Sequence, residues 1–437
     1  MATEPVKMAL ETAEGSEDEP PLDVAVITAV GDLVLEVSHG GETFLYRVSV
    51  ASLTKTSSYF KNLLEGDFDE GIQVQRKLKT LDRNKIAELP YDALPLVKIS
   101  DIGRISKVNT IRNLVEDFLN IVHGYALPKP PPVSNLANLA NLAIVADRFD
   151  CLPSLIAADR RLKFIQANEK RTNSGPDSEE RTRQKLLIGI LLDHSPWISI
   201  SSKRLIICGS TCWKVDAVDD PDAALWWDLP RGIEEELVCR RNYLLETLES
   251  LQSHFLKLYT SAERQCKFGY YEASLECDSF QLGQMLRFFQ RINTLRLKGT
   301  LVAKRGTHAY SGDIERILDA LYSCRTSQIY QHSHCGLRAR LIPLLEALHP
   351  LIRQSQVTDL GICGDCWRLH RIDYAWTLAK RPVAWGGGKL GSLVALRRRG
   401  GPGSAACLAS HARVRELCMA TERDWTRPGS GEENEGE

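Results

Sequence analysis

Residues 32–48 read DLVLEVSHGGETFLYRV, and residues 49–68 continue as SVASLTKTSSYFKNLLEGDF. In the first stretch apolar residues recur at every second position. Leu33, Leu35 and Val37 share one face, opposite Asp32, Glu36 and Ser38. Period-two alternation on both sides of Gly40-Gly41 is the signature of a β-hairpin, because both glycines can take the left-handed conformation that a tight turn needs. In the second stretch the period lengthens to about 3.6. Tyr59, Phe60, Leu63 and Leu64 then fall on one helical face, with Thr56 or Ser57 as N-cap and Gly66 as stop signal.

The pattern continues on either side. Leu22 to Val30 is apolar and β-branched, as a docking or edge strand is. Residues 72–95 are charged and irregular and read as an insertion. Leu96 to Ile99 reads as a short strand. Ile111 to His123 is amphipathic, with Ile111, Leu114, Val115, Phe118, Leu119 and Val122 on its apolar face and Gly124 closing it. A proline-rich break at 127–132 precedes a helix through Ala146 and a shorter one from Leu152. A hairpin, a helix, a strand and paired helices make an α+β unit.

The chain has 437 residues, enough for two or three domains. Residues 1–21 are acidic and polar and read as a disordered tail without the apolar core of a signal peptide. The α+β unit occupies 22–165, a polar linker 166–183, and a mainly helical domain 184–380. Residues 381–437 are rich in Gly, Arg and Ala and read as a low-complexity, disordered tail with one short helix near Val414 to Arg423. The formal net charge of -1 argues against a chain-wide grip on nucleic acid. No stretch has the roughly 18 apolar residues that would span a bilayer. The expected location is intracellular, in cytoplasm or nucleus.

Four stretches, DLVLEV, SVASLTKTSSYFKNLLEGDFDEG, LVEDFLNIVHGY and LAIVADRFDC, occur in the order and nearly the spacing of the BTB/POZ family, which residues 32–160 resemble. The resemblance implies a BTB/POZ fold with a small sheet and helices, and a protein–protein interaction module or adaptor rather than an enzyme. It implies other proteins as partners: a second copy, a cullin-type ubiquitin-ligase scaffold or a transcriptional complex. Phe68-Asp69-Glu70 is similar to the hydrophobic-x-Glu element that some members offer to a cullin. With Tyr59, Phe60, Leu63 and Leu64 it forms the expected partner-binding set. ERQCKFGYYEASLECDSFQLGQMLRFF, HSHCGLRARLIPLLE and GICGDCW resemble the downstream half of a group of fungal BTB proteins.

The chemistry-bearing residues beyond 184 are cysteines and histidines. Cys363-Gly364-Asp365-Cys366 is a C-x-x-C turn, which presents two thiolates to one ion. Cys324, His334 and Cys335, with His332 beside them, are the candidates to complete a four-ligand structural zinc site with Cys363 and Cys366. Cys266 and Cys277 form a second candidate pair. Burial of the same cysteines without a metal is the simpler reading. The alternative function is a metal- or thiol-dependent enzyme using this cluster. Other catalytic motifs fail: Leu390 stands where the P-loop after GGGK needs Ser or Thr, and no H-E-x-x-H occurs.

Overall fold

The computed structural model describes residues 23–82, 85–127, 135–170, 177–214, 220–266, 268, 271–294, 310, 312–327, 329, 332, 334–353, 360–385 and 403–426. The expected tail at 1–21 and the proline break at 128–132 lie outside them.

The first unit is built from the described residues up to Ile102, Asn109–Leu127 and Arg148–Ser154. Its strands are β1 (Val24–Val26), β2 (Leu33–His39), β3 (Glu42–Val48) and β4 (Leu96–Ile99), in sheet order β1-β3-β2-β4. The β2–β3 pair is antiparallel, whereas β1 on β3 and β4 on β2 are parallel. His39 faces Glu42 across the turn, and Gly40 and Gly41 have φ of 60° and 85°. A two-residue turn with both φ positive matches the strand twist, and glycine enters it at no steric cost.

One face of the sheet buries Leu33, Leu35, Val37, Tyr46 and Val48. The other face is also covered: Val34, Leu45 and Leu94 form a cluster with Leu81 and Leu89 against it. The segment 72–95 is therefore corrected from an irregular insertion to a helix and a cover. Helices α1 (Val50–Thr56) and α2 (Ser58–Glu65) follow the hairpin, and α3 (Asp69–Thr80) opens this segment. Arg47 on β3 fastens the rest, donating to the carbonyls of Gly31 at 3.0 Å, Leu89 at 3.1 Å and Ile86 at 2.5 Å. The segment hides its few apolar residues between charges, so periodicity alone does not reveal them.

Ser57 caps α2, accepting from the Phe60 amide at 2.9 Å and donating to the Phe149 carbonyl at 2.6 Å. Phe60 stacks on Phe149 with ring centroids 5.2 Å apart, and Tyr59 meets the same ring edge-on at 5.3 Å. Helix α4 (Ile111–His123) buries Leu114, Val115, Phe118, Leu119 and Val122, and Gly124 ends it in the left-handed conformation.

The second unit holds Gly103–Val108 and the remaining described residues of 128–147 and from Leu155 on. Helix α5 (Leu136–Arg148) is buried on nearly every side, and its Asn141 exchanges hydrogen bonds with the Ser106 backbone at 3.1 and 2.6 Å. Helices α6 (Leu152–Leu162) and α7 (Phe164–Lys170) follow, and α7 takes up residues 166–170 of the expected linker. Of the rest of that linker, residues 171–176 lie outside the described residues and residues 179–183 are instead the start of α8 (Glu179–Leu191), capped by Ser178. Arg183, fully buried, forms a bidentate pair with Glu234 at 2.9 and 3.0 Å. Polar residues with tertiary partners look like a linker when only composition is read.

Helix α9 (Ser195–Cys208) runs back along α8, and Arg241 donates to its last carbonyls, those of Ile206 and Ile207, at 2.7 and 3.0 Å. Then come α10 (Ile233–Thr260), α11 (Tyr271–Arg291), α12 (Ile314–Tyr322), α13 (Leu337–Arg353), α14 (Gly364–Leu369), α15 (Arg371–Tyr374) and α16 (Ala405–Met419). Strands β5 (Ala384–Trp385) and β6 (Glu422–Arg423) pair beside α16 in sequence. The expected short helix near Val414 is thus present as the longer α16, and residues 403–426, otherwise expected as disordered tail, have a buried face including Val414, Leu417 and Met419, whereas residues 386–402 and 427–437 of that tail lie outside the described residues. The architecture is α+β and mostly helical. Among the described residues no helix is long and apolar enough to cross a membrane.

Asp117 on α4 carries a measurable consequence. Burial, aided by neighbouring Glu116, raises its carboxyl to about 6. The folded state therefore holds a proton that the unfolded state releases near pH 4, so stability falls as pH rises from about 4 to 6. Asp117→Asn is expected to stabilise the chain at pH 8 by on the order of 1–2 kcal/mol, allowing for residual solvent screening, and to do nothing at pH 3. Thermal melts across that range check it.

Candidate metal centres

Among the described residues of the second unit two sets of four side chains converge: Cys266, Cys277, His332 and Cys335, and Cys363, Cys366, Cys407 and His411. All eight are buried, and within each set the ligand atoms lie within 4.8 Å of one another. Tetrahedral zinc with thiolates at about 2.3 Å places neighbouring sulfurs about 3.8 Å apart, and a sulfur and a nitrogen slightly closer. The spacings that follow match that scale.

The first centre is assembled from three places. Cys266 follows α10 in a loop, Cys277 sits on α11, and His332 and Cys335 precede α13. Cys266 Sγ lies 3.2 Å from His332 Nδ1 and 3.3 Å from Cys335 Sγ, and Cys335 Sγ lies 4.0 Å from His332 Nδ1. The loop is shaped by Asp278, whose carboxylate accepts from the amides of Gln265 and Cys266, both at 2.8 Å. Tyr259 near the end of α10 donates to the Cys335 carbonyl at 2.8 Å. Phe268 covers His332 edge-on at 5.4 Å.

Burial works against ionising Cys266, yet the Phe268 backbone, Cys335, His332 and Cys277 hold its thiol down at about 7. Burial and the neighbouring Cys266 push Cys277 up to about 12. One thiolate is favoured and the next is opposed by like charge. A divalent cation removes that conflict, because it lets all three sulfurs ionise at once.

The second centre uses the C-x-x-C turn and a helix. Cys363 is the N-cap of α14, with Cys366 in that helix; Cys407 and His411 lie one turn apart on α16. Cys366 Sγ is 3.7 Å from Cys407 Sγ, which is 3.4 Å from His411 Nε2. Gly364 lets the turn approach α9: a Cβ there would meet Ser195 Oγ at 2.8 Å. Hydrogen bonding from Cys366 lowers the Cys363 thiol to about 3 against the effect of burial, with His411 adding to it. Cys366 moves in the opposite direction, raised by Cys363 and by burial.

Outer partners hold the turn in place. The Cys363 amide donates to Tyr374 Oη at 2.7 Å, and the Ile362 amide donates to Ser202 Oγ at 2.7 Å. The Tyr374 ring stands edge-on to His411 at 5.2 Å. Beneath them Glu236 and Arg240 form a fully buried pair at 2.8 Å. Arg240 donates to the Leu360 and Gly361 carbonyls at 3.2 and 2.7 Å and lies 4.9 Å from each of the Tyr374 and Trp376 rings. Glu236 accepts from the amides of Trp376 and Thr377 at 2.9 and 3.1 Å. Burial would raise this carboxyl, but Arg240 and those two amides keep it below the usual range. Such supporting shells orient metal ligands.

The sequence-based ligand set is corrected accordingly. Cys363 and Cys366 come together, but Cys335 joins the other centre with Cys266, Cys277 and His332. His334 is exposed and belongs to neither centre. Cys324 is buried, with its thiol raised by burial to about 11, and also belongs to neither. Chain proximity grouped residues 324–335 with 363–366, whereas the fold groups each with a different helix. Cys407 and His411 escaped notice because they lie in a segment read as disordered. Their i, i+4 spacing was the available signal.

The expected partner surface is corrected as well. Phe60 and Leu64 are core residues, 1% and 0% exposed, so they cannot meet a partner. Tyr59 and Leu63 are half-buried, while Phe68, Asp69 and Glu70 are exposed at the start of α3. That start is fixed by Gly71, where a Cβ would meet the Leu63 carbonyl at 2.5 Å. Comparison with protein-family models, curated proteins and solved structures finds no significant match.

Two outcomes follow. Cys277→Ser and Cys407→Ser are each expected to lower bound metal by one equivalent, whereas Cys324→Ser leaves it unchanged; elemental mass spectrometry reads this directly. Arg240→Met strands a buried carboxylate and is expected to cost about 3–5 kcal/mol, part of it regained on adding Glu236→Leu, which removes the stranded charge but leaves the carbonyls and amides the pair had matched. Chemical denaturation of the two variants measures that recovery.

Proposed function

We propose that the chain is a protein-binding adaptor. Its amino-terminal unit is of BTB/POZ type, and its carboxy-terminal unit is a helical domain held by two structural zinc ions. The observation that carries the zinc reading is that each centre offers four buried protein ligands, three cysteines and one histidine. Four protein ligands close the tetrahedron, as in structural sites, while catalytic zinc keeps a position for water. This favours a scaffold over the alternative of a metal- or thiol-dependent enzyme.

The interaction reading is supported by the first unit. The hairpin, the Ser57-capped helix and the packing of Phe60 on Phe149 join three of the four stretches that resemble BTB/POZ sequences. Phe68 is 58% exposed beside Asp69 and Glu70 on the first turn of α3. An apolar anchor beside acidic charge suits a small hot spot on a cullin-type scaffold. The same module can serve a transcriptional complex or a second copy of the chain. All twelve cysteines are unbridged, in keeping with work in the reducing cytoplasm or nucleus.

Two measurements test the proposal separately. Protein purified without added metal is expected to hold two zinc ions per chain, one per centre; substoichiometric zinc overturns the scaffold reading. Calorimetry of the full chain against a cullin amino-terminal domain is expected to show binding that Phe68→Ala weakens roughly tenfold or more. An absence of heat with the unaltered chain at high micromolar concentration removes the cullin as partner.

A further inference from the structure

Beside the first metal centre the second unit carries a cavity of about 280 Å³. Three arginines line it, Arg287 and Arg291 from α11 and Arg325 from the segment after α12, together with Gln281, Gln284 and Ser327. Gln281, Gln284, Arg287 and Arg291 repeat at helical spacing, so α11 presents them as one stripe. No carboxylate is among the described residues that line the cavity. None of the three guanidinium groups has an ion-pair partner among the described residues. Three like charges around one small space repel each other, and an anion relieves that repulsion.

The floor adds a second observation. Gln281 is 1% exposed; its Nε2 donates to the Ser327 carbonyl at 2.9 Å, and its Oε1 is buried with no hydrogen-bond partner among the described residues. A buried acceptor without a donor is destabilising, so a donor brought by a ligand is favoured there. The cavity therefore suits a ligand that brings an anionic head to the arginines and an N–H or O–H to Gln281.

We propose that this cavity binds a dianionic phosphate monoester. Arginine presents a planar fork of donors that matches phosphate oxygens, and three forks suit a dianion better than a single-charged carboxylate. The volume accommodates a phosphorylated head group and its first linking atoms, not a whole cofactor. The same two segments that build the walls also build the metal centre. Cys277 precedes Gln281 by one helical turn, and His332 and Cys335 follow Ser327. Metal binding at the first centre thus clamps the two walls together. For an adaptor the pocket supplies a way to recognise a phosphorylated partner, but its chemistry holds whatever the amino-terminal unit binds.

Calorimetry on the full chain, with its metal content measured in parallel, tests this at constant ionic strength. The probes are N-acetyl-O-phosphoserine methylamide, inorganic phosphate and adenosine monophosphate, with the unphosphorylated serine derivative as blank. At least one phosphate probe is expected to bind and the blank not to. The tightest probe identifies the source as peptide, free phosphate or nucleotide. Arg287→Glu and Arg291→Glu, both at exposed positions, are expected to weaken binding roughly tenfold or more each. Arg316→Glu on the exposed side of α12 is expected to leave it unchanged. Removing metal with a chelator is expected to weaken the same binding. Binding that survives metal removal, or that occurs in protein without zinc, overturns the clamp while the pocket stands. Absence of binding by all three probes at millimolar concentration overturns the pocket, as does equal binding by the Arg287 and Arg316 variants. Neither result bears on the zinc count.

Discussion

The buried pair of Glu236 and Arg240 is the constraint on which the helical unit is organised. Both side chains are 0% exposed, and they sit one turn apart in the first turns of α10. Two charges removed from water need every remaining donor and acceptor matched, or the desolvation cost dominates. Residues 360–377 supply most of the match: two carbonyls for the guanidinium, two amides for the carboxylate, and two aromatic rings 4.9 Å from Arg240, whose Nη2 alone has no hydrogen-bond partner among the described residues. Satisfying the pair therefore requires that segment to lie in one place. Cys363 and Cys366 lie within it, so the geometry of a metal centre is inherited from an ion pair that touches no ligand sulfur.

Helix α10 extends that logic along its length. With 28 residues it is about 42 Å long. Its first turns hold the C-x-x-C segment, Arg241 closes the end of α9, and Tyr259 in its last turn holds the Cys335 backbone. Thr247 and Ser250 between them reach the Cys418 carbonyl and Trp425, which anchors the segment around α16. Both centres are thus positioned from one helix. Each draws its side chains from segments far apart in sequence, so an ion held at each would cross-link the unit at two points. A helical domain without a continuous sheet gains most from such cross-links, since they oppose the entropy of its long connections.

The first unit relies on different physics. A four-stranded sheet covered on both faces, a capped helix and a cluster of Tyr59, Phe60, Phe118 and Phe149 need no metal to close. Its exposed apolar residue of interest, Phe68, is held in place by the tight passage of Gly71 under α2. The same unit keeps Cys151 buried with its thiol raised by burial to about 12, which makes it a core residue and not a nucleophile.

The sequence by itself determined the hairpin, because Gly40-Gly41 between two alternating runs leaves few other conformations. It determined α2 and α4 by their apolar stripes and caps, and it marked Cys363 and Cys366 through their spacing. Those features are local: each is settled by residues within a few positions of one another. Only the tertiary structure decided that Leu81, Leu89 and Leu94 cover a sheet, that residues 179–183 start a helix, and that Cys407 and His411 complete a candidate centre. It also split Cys335 from Cys363. In these cases the deciding partners are distant in the chain. Polar residues such as Arg47, Arg183 and Arg240 read as solvated in sequence, yet each is buried by carbonyls or carboxylates that only the fold supplies.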